Sequence, residues 1–257
     1  MKSISDEQLA AALAQYRAEG YARVGPAADE ATLEGLRSRA VELMLGRVTW
    51  PGMFFQIDSS TGEYRDAPLG LGWVGPSLNY RKLEKLELDE RFLALIRTPL
   101  FERLARGVID GGVTLYRAII FNKAASGSSA IPWHQDGGKL WGLSAEPALQ
   151  IWMALDDATE GGGCLEVLPK SHLRGLATPL GGVVPEDQVA AAGADAQAVP
   201  LPARAGEVIL VHPHVWHRSG RSRPGARRMG FSVCFMSEAV RCVRKKKAPR
   251  QFFKVFP

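Results

Sequence analysis

The sequence predicts a mainly β domain, a jelly roll or sandwich, with helices packed on its outside. Three observations carry that expectation. The first hundred or so residues show helical periodicity. From residue 113 the texture changes to short runs rich in β-formers, punctuated by Gly and Pro. The 257 residues, 46% hydrophobic and 23% charged, suffice to bury one large core.

Taken in order, residues 5–18 read as an amphipathic helix, with Ser5 and Gln8 as a capping box and Gly20 as its stop. Residues 21–24 form a short strand that Gly25-Pro26 breaks. A second helix is expected from Asp29 to Leu45, with Leu33, Leu36, Ala40, Leu43 and Met44 at helical spacing. Residues 50–82 lack periodicity and are expected to be irregular, a texture common in functional segments. Helix returns over 89–108, with Phe92, Leu95, Ile96, Leu100 and Leu104 on one side. Strands are expected at 113–122, 149–155, 164–168, 198–202, 207–212 and 229–236, with the Ala/Gly-rich stretch 174–197 as an excursion between them. This gives one domain over 1–257: helices within 1–110, a β core over 111–240 and a basic tail over 241–257.

The tail explains the charge. Residues 241–257 hold seven of the 32 basic residues and none of the 27 acidic ones, so the rest of the chain is close to neutral. The run Arg244-Lys245-Lys246-Lys247 is expected to be a solvated end, and no nucleic-acid motif accompanies it. No stretch approaches the ~20 apolar residues of a membrane span, and the first residues lack the basic-then-apolar layout of a signal peptide; a cytoplasmic setting without membrane partners is expected. Cys164, Cys234 and Cys242 lack C-x-x-C spacing and are expected to be buried free thiols. Nothing sets an oligomeric state.

The chemistry centres on Trp133-His134-Gln135-Asp136. In an extended segment residues i and i+2 point the same way, so His134 and Asp136 can converge on one cation. A second histidine would complete a 2-His-1-carboxylate set with open positions. His172, His212, His214 and His217 are the candidates, and spacing does not separate them. On the strand 229–236, Met229, Phe231, Val233 and Phe235 share one face, while Arg228, Gly230, Ser232 and Cys234 share the other, small and polar as a cavity lining should be. Arg228 is thereby aimed where a ligand carboxylate could sit, and Arg227 is not. Along 149–155 the same alternation puts Trp152 inside, with Gln150 and Ala154.

These residues resemble the phytanoyl-CoA dioxygenase family of Fe(II)/2-oxoglutarate oxygenases. The resemblance rests on the block 133–136, on Leu149-Gln150-Ile151-Trp152-Met153-Ala154-Leu155-Asp156-Asp157-Ala158, on Gly163 to His172, and on Gly206-Glu207 through His217-Arg218-Ser219 to Arg228. It implies a double-stranded β-helix (jelly roll, cupin-like) with iron bound by His134, Asp136 and His217. It further implies Arg228 and Ser219 on the distal carboxylate of 2-oxoglutarate, Gln135 and Trp152 lining the cosubstrate site, and a structural turn at His172. Gly161-Gly162-Gly163 and Gly137-Gly138-Lys139 depart from the family pattern, and the second departure bears on the substrate pocket. The resemblance implies an enzyme that uses Fe(II), 2-oxoglutarate and O2 to hydroxylate a small organic molecule (lipid-like, amino-acid-like or natural-product), releasing succinate and CO2. Intact Asp136 favours hydroxylation over halogenation, and no side-chain acid or base is required. The alternatives are a cupin-like metal-dependent isomerase or hydrolase, or a non-catalytic binding protein on the same fold. Segments 50–82 and 174–197 are expected to form the substrate pocket, with Trp50, Phe54 and Trp73 as candidate lining. Lys139 and the basic tail hint at an anionic substrate.

Overall fold

The computed structural model describes residues 3–68, 70, 72–245 and 249–257. It opens with α1 (Asp6–Glu19), where Ser5 Oγ accepts from Gln8 N and Gln8 Oε1 accepts from Ser5 N, a complete capping box. Gly20 closes the helix at φ 84°, its N–H on the Tyr16 carbonyl. β1 (Tyr21–Pro26) follows, then α2 (Glu30–Met44), capped by the Asp29 carboxylate on Thr32 N at 2.8 Å.

The stretch expected to be irregular contains two strands, β2 (Phe54–Ile57) and β3 (Tyr80–Glu84), which pair antiparallel. Four and five residues show little period of their own; it is pairing of β3 with a later strand that makes them a sheet. The helix expected over 89–108 is instead two, α3 (Glu90–Ile96) and α4 (Pro99–Arg106). Pro99 has no N–H to continue a ladder but suits the first turn of a new helix.

The remaining elements are β4 (Val113–Lys123), β5 (Ile131–Gln135), β6 (Leu149–Ala154), β7 (Leu165–Leu168), β8 (Gly182–Val183), α5 (Glu186–Ala191), β9 (Val199–Leu201), β10 (Glu207–Val211), β11 (Trp216–Ser219), β12 (Arg228–Ser237) and β13 (Phe253–Phe256). The larger sheet runs β1-β10-β6-β12-β4-β3-β2, with β13 also on β4; the smaller runs β8-β5-β11-β7-β9. The tail is therefore not only a solvated end. Its last residues return to the sheet, burying Val255 and Phe256, because an apolar run follows the charged one. Lys246 and Lys247 of the expected solvated run lie outside the described residues.

Period-2 alternation divides the core. Leu149, Ile151, Met153, Phe231, Val233 and Phe235 pack on one side of the larger sheet with Leu33, Leu36, Phe92 and Leu100 of the helices. Trp152, Ala154, Ile209 and Val211 pack on the other side, against Val167 and Leu201 of the smaller sheet. Each such fully buried aliphatic or aromatic side chain stabilises the fold by roughly 1.5–3 kcal/mol. Polar Gln150, Arg228 and Ser232 share that inter-sheet face, which is why a cavity opens there. Cys164 and Cys234 are buried free thiols and Cys242 is a half-buried one. Among the described residues no helix is long and apolar enough to cross a membrane.

Candidate metal centre

β5 and β11 run antiparallel with His134 directly opposite His217. The extended backbone of β5 aims His134 and Asp136 into the space between the sheets. The result is a cluster in which one ligand atom each of His134, Asp136 and His217 lies within 4.8 Å of the others. The two imidazole rings are 4.0 Å apart, and His217 Nε2 lies 3.6 Å from Asp136 Oδ2. Among the described residues this is the group of side chains with metal-ligand geometry.

The protonation states suit a cation. His134 Nδ1 is 2.9 Å from the Pro132 carbonyl and His217 Nδ1 is 2.8 Å from the Val215 carbonyl. A carbonyl only accepts, so each Nδ1 carries a proton, and Nε2 is the ring nitrogen left facing the cluster, where it would bind a metal. Burial, then the neighbouring His217, pushes His134 down to about 3, so it is neutral at pH 7. Burial pushes the Asp136 carboxyl up, but Arg117 and His217 outweigh it and hold it well below the usual carboxylate range. Arg117 Nη2 donates to Oδ1 at 3.1 Å and Gln150 Nε2 to Oδ2 at 2.7 Å. Neither residue was singled out for this role from sequence. The only signal was that Gln150 shares the inward face of β6 with Trp152.

The other histidines stand apart from this cluster. His172 Nε2 donates to the Arg17 carbonyl, His212 Nδ1 accepts from His214 N, and His214 Nε2 faces Glu146 at 3.3 Å. His172 sits in the 3₁₀ turn Ser171–Arg174, as a structural role requires.

From the metal cluster a narrow cavity runs between the sheets past Phe121, Gln150, Trp152 and Ser232 to Ser219 and Arg228. Arg228 is 2% exposed. Its Nη2 donates to the Gly163 carbonyl and its guanidinium carbon lies 6.0 Å from the Trp152 ring. Burial lowers Arg228 to about 10, still charged at neutral pH. Its cross-strand partner Lys123 is pushed down to about 6 by burial and by Arg228, and donates to the Ser129 carbonyl. Arg228 Nε and Ser219 Oγ are both buried without a hydrogen-bond partner. Unsatisfied buried donors are costly, so this pair fits an anionic ligand group. Gly230 makes room beside it: a Cβ there would lie 2.5 Å from Trp152 Nε1.

One expectation is corrected. Gln135, 1% exposed, points to the opposite face of β5, donating to the Gly175 and His214 carbonyls and accepting from Ala177 N. It ties down a loop and does not line the cavity. Trp50 and Trp73 bond Asp89 and the Met44 carbonyl, on the helical side. They, Phe54 and residues 174–197 lie outside the lining of the cavity that runs to Arg228, while β8 of the last stretch pairs with β5 at His134. Arg227 faces outward and pairs with Asp156, as its strand position predicts. The glycines after Asp136 have a steric reason, since a Cβ on Gly138 would meet the Leu180 carbonyl oxygen at 2.5 Å.

Comparison with known proteins adds a family. The family described as phytanoyl-CoA dioxygenase matches residues 16–230. The mouse (Mus musculus) phytanoyl-CoA dioxygenase domain-containing protein 1 is 29% identical over 160 residues, 59% of this chain and 54% of that one. The L-proline trans-4-hydroxylase of Streptomyces griseoviridis is 28% identical over 172 residues, 58% of this chain and 64% of that one. The chain thus matches only half to two-thirds of the length of these relatives. Among solved structures, the epimerase SnoN in complex with Fe3+, alpha-ketoglutarate and nogalamycin RO superposes with a TM-score of 0.72 at 17% identity, covering 97% of this chain and 96% of that one. EctD from S. alaskensis, with 2-oxoglutarate and 5-hydroxyectoine, gives 0.72 at 19%, covering 96% and 82%. At these identities the likeness is one of fold, the expected double-stranded β-helix.

Proposed function

As this chain belongs to the phytanoyl-CoA dioxygenase family, we propose that it is an Fe(II)- and 2-oxoglutarate-dependent oxygenase that hydroxylates a small organic molecule. In this reading Nε2 of His134, Nε2 of His217 and the Asp136 carboxylate hold the iron. Arg228 and Ser219 hold the distal carboxylate of 2-oxoglutarate, and Trp152 forms one wall. The observation that carries the reading is the pairing of two features along one cavity: the His134, Asp136 and His217 cluster at one end and orphaned Arg228 Nε and Ser219 Oγ at the other.

Iron with 2-oxoglutarate and O2 supplies the oxidation, with succinate and CO2 as the by-products. The chain's own contribution is positional. His134, Asp136 and His217 would supply three ligands to the metal and leave positions open for cosubstrate and O2. Arg117 and Gln150 fix both carboxylate oxygens of Asp136, and the apolar walls Phe121, Trp152 and Val211 limit water. No side chain is assigned as acid or base. The substrate class extends over lipid-like, amino-acid-like and natural-product molecules; the proline hydroxylase among the relatives supports the amino-acid-like arm. We read the chain as one domain over 1–257 in a cytoplasmic setting, in keeping with its free thiols.

The test is turnover. Wild-type protein with Fe(II), O2 and 2-oxoglutarate should release succinate, faster when a panel of fatty acyl and amino-acid substrates includes an acceptor, and Asp136→Ala should abolish it. Undiminished turnover in Asp136→Ala would sink the assignment.

A further inference from the structure

The family match ends at residue 230, yet the chain beyond it reaches back to the metal carboxylate. β12 and β4 shift register between Cys234, opposite Arg117, and Phe235, opposite Leu115, so Tyr116 is a bulge residue without a partner on β12. The bulge lets the adjacent side chains of Tyr116 and Arg117 both reach Trp141. The Tyr116 ring stacks on Trp141 at 4.3 Å and 12°. The Arg117 guanidinium carbon lies 4.5 Å from the centre of the Trp141 ring while its Nη2 holds Asp136 Oδ1. The bulge also frees a carbonyl, and Arg250 takes it: its Nη2 donates to Tyr116 O and its guanidinium carbon lies 5.1 Å from the ring centres of both Tyr116 and Phe252.

The turn that carries Trp141 is fastened by the same segment. Val243 N donates to the Gly142 carbonyl and Ser144 N to the Arg241 carbonyl, both at 2.9 Å; Arg241 N donates to Ser144 Oγ, and Arg244 Nη2 to the Leu140 carbonyl. β13, paired to β4 at Leu115 and Thr114, anchors the far end.

We propose that the C-terminal segment is a positioning device for the metal site: Arg250 and residues 241–244 hold the Tyr116–Trp141 stack, the stack orients Arg117, and Arg117 orients Asp136. Cation, ring, ring and cation alternate along this line, and each contact restricts the next. The inference rests on the metal centre proposed above, but not on 2-oxoglutarate or on the reaction.

The experiment is Co(II) titration of metal-free, full-length protein, read from the visible absorption of the bound ion. It compares wild type, Arg117→Gln, Arg250→Ala and the double variant. Arg117→Gln should weaken Co(II) binding about tenfold or more, as loss of an outer partner of a metal ligand does. Arg250→Ala should weaken it about two- to fivefold, the equivalent of one exposed cation–π contact. The double variant should bind like Arg117→Gln alone, because Arg250 acts through Arg117, and Arg250→Lys should recover part of the loss. Unchanged affinity in Arg250→Ala, or losses that simply multiply in the double variant, would overturn the proposal. A purely structural role would lower the unfolding midpoint of the metal-free protein without moving Co(II) affinity, which also overturns it. If Arg250→Ala does not fold, Trp141→Leu takes its place, with weakened Co(II) binding expected and unchanged binding refuting. Wild-type protein that binds no Co(II) would remove the metal centre and this inference together. Co(II) binding with the expected coupling but no 2-oxoglutarate dependence of turnover would leave this inference standing while the oxygenase reading fell.

Discussion

Gln150 Nε2 lies 2.7 Å from Asp136 Oδ2, so a side chain of the larger sheet holds the carboxylate that the smaller one contributes to the proposed metal site. The two sheets meet at this contact, and it makes the site depend on how they pack.

Gln150→Leu should therefore weaken metal binding about tenfold, with a stability loss of about 1–3 kcal/mol from a buried carboxylate oxygen left with one donor fewer. Gln150→Glu should be worse, because it sets two carboxylates side by side in a buried site. Co(II) titration and thermal unfolding of the same preparations check both. Equal metal affinity in wild type and Gln150→Leu would show that the contact does not position Asp136.

Gly230→Ala isolates the end of the cavity proposed for the cosubstrate. The new Cβ would lie 2.5 Å from Trp152 Nε1, so the indole must move into the cavity, at a cost of about 1–3 kcal/mol. The expected outcome is weaker 2-oxoglutarate binding with Co(II) affinity unchanged. Equal loss of both, or of neither, would mean that Trp152 does not wall the cosubstrate site.

Stability of the metal-free protein should fall on mild acidification. Burial, with neighbouring imidazoles, lowers His134 and His212 to about 3, well below the ordinary histidine value. Between about pH 6.5 and 3 the unfolded chain binds more protons at these positions than the folded one. Folding stability is thus full above about pH 6.5 and is lost as pH falls towards 3. The slope is at most about 1.4 kcal/mol per pH unit per residue, less for half-buried rings that solvent screens. Unfolding midpoints measured at pH 7.0, 6.0 and 5.0 should decline, and His212→Asn should flatten the decline. A flat profile over that range would contradict the buried, neutral state of both rings.

Legibility in the sequence followed the range of the interactions. The capping box of Ser5 and Gln8 and the stop at Gly20 are local chemistry, and both are present as read. The aim of Arg228 and the outward turn of Arg227 follow from alternation along one strand. Alternation on β5 also places Gln135 opposite His134 and Asp136, which the family motif alone led away from. His217 could not be told from His212 or His214 by spacing, because the choice depends on β11 pairing with β5 across more than eighty residues of chain. Arg117 and Gln150 were invisible as partners of Asp136 because each reaches it from the other sheet. β2 and β3 were missed because strands of four and five residues draw their order from β4.

In the proposed function one cavity holds a metal at His134, Asp136 and His217 and a 2-oxo dicarboxylate against Arg228. Anaerobic titration of Fe(II) and 2-oxoglutarate into metal-free protein tests it most directly, by the visible metal-to-ligand charge-transfer band, in wild type and Arg228→Ala. The expected result is a band in wild type that is lost, or needs at least about tenfold more 2-oxoglutarate, when the buried charge-assisted contact is removed. Bound Fe(II) without a band in wild type, or an identical titration in Arg228→Ala, would contradict it.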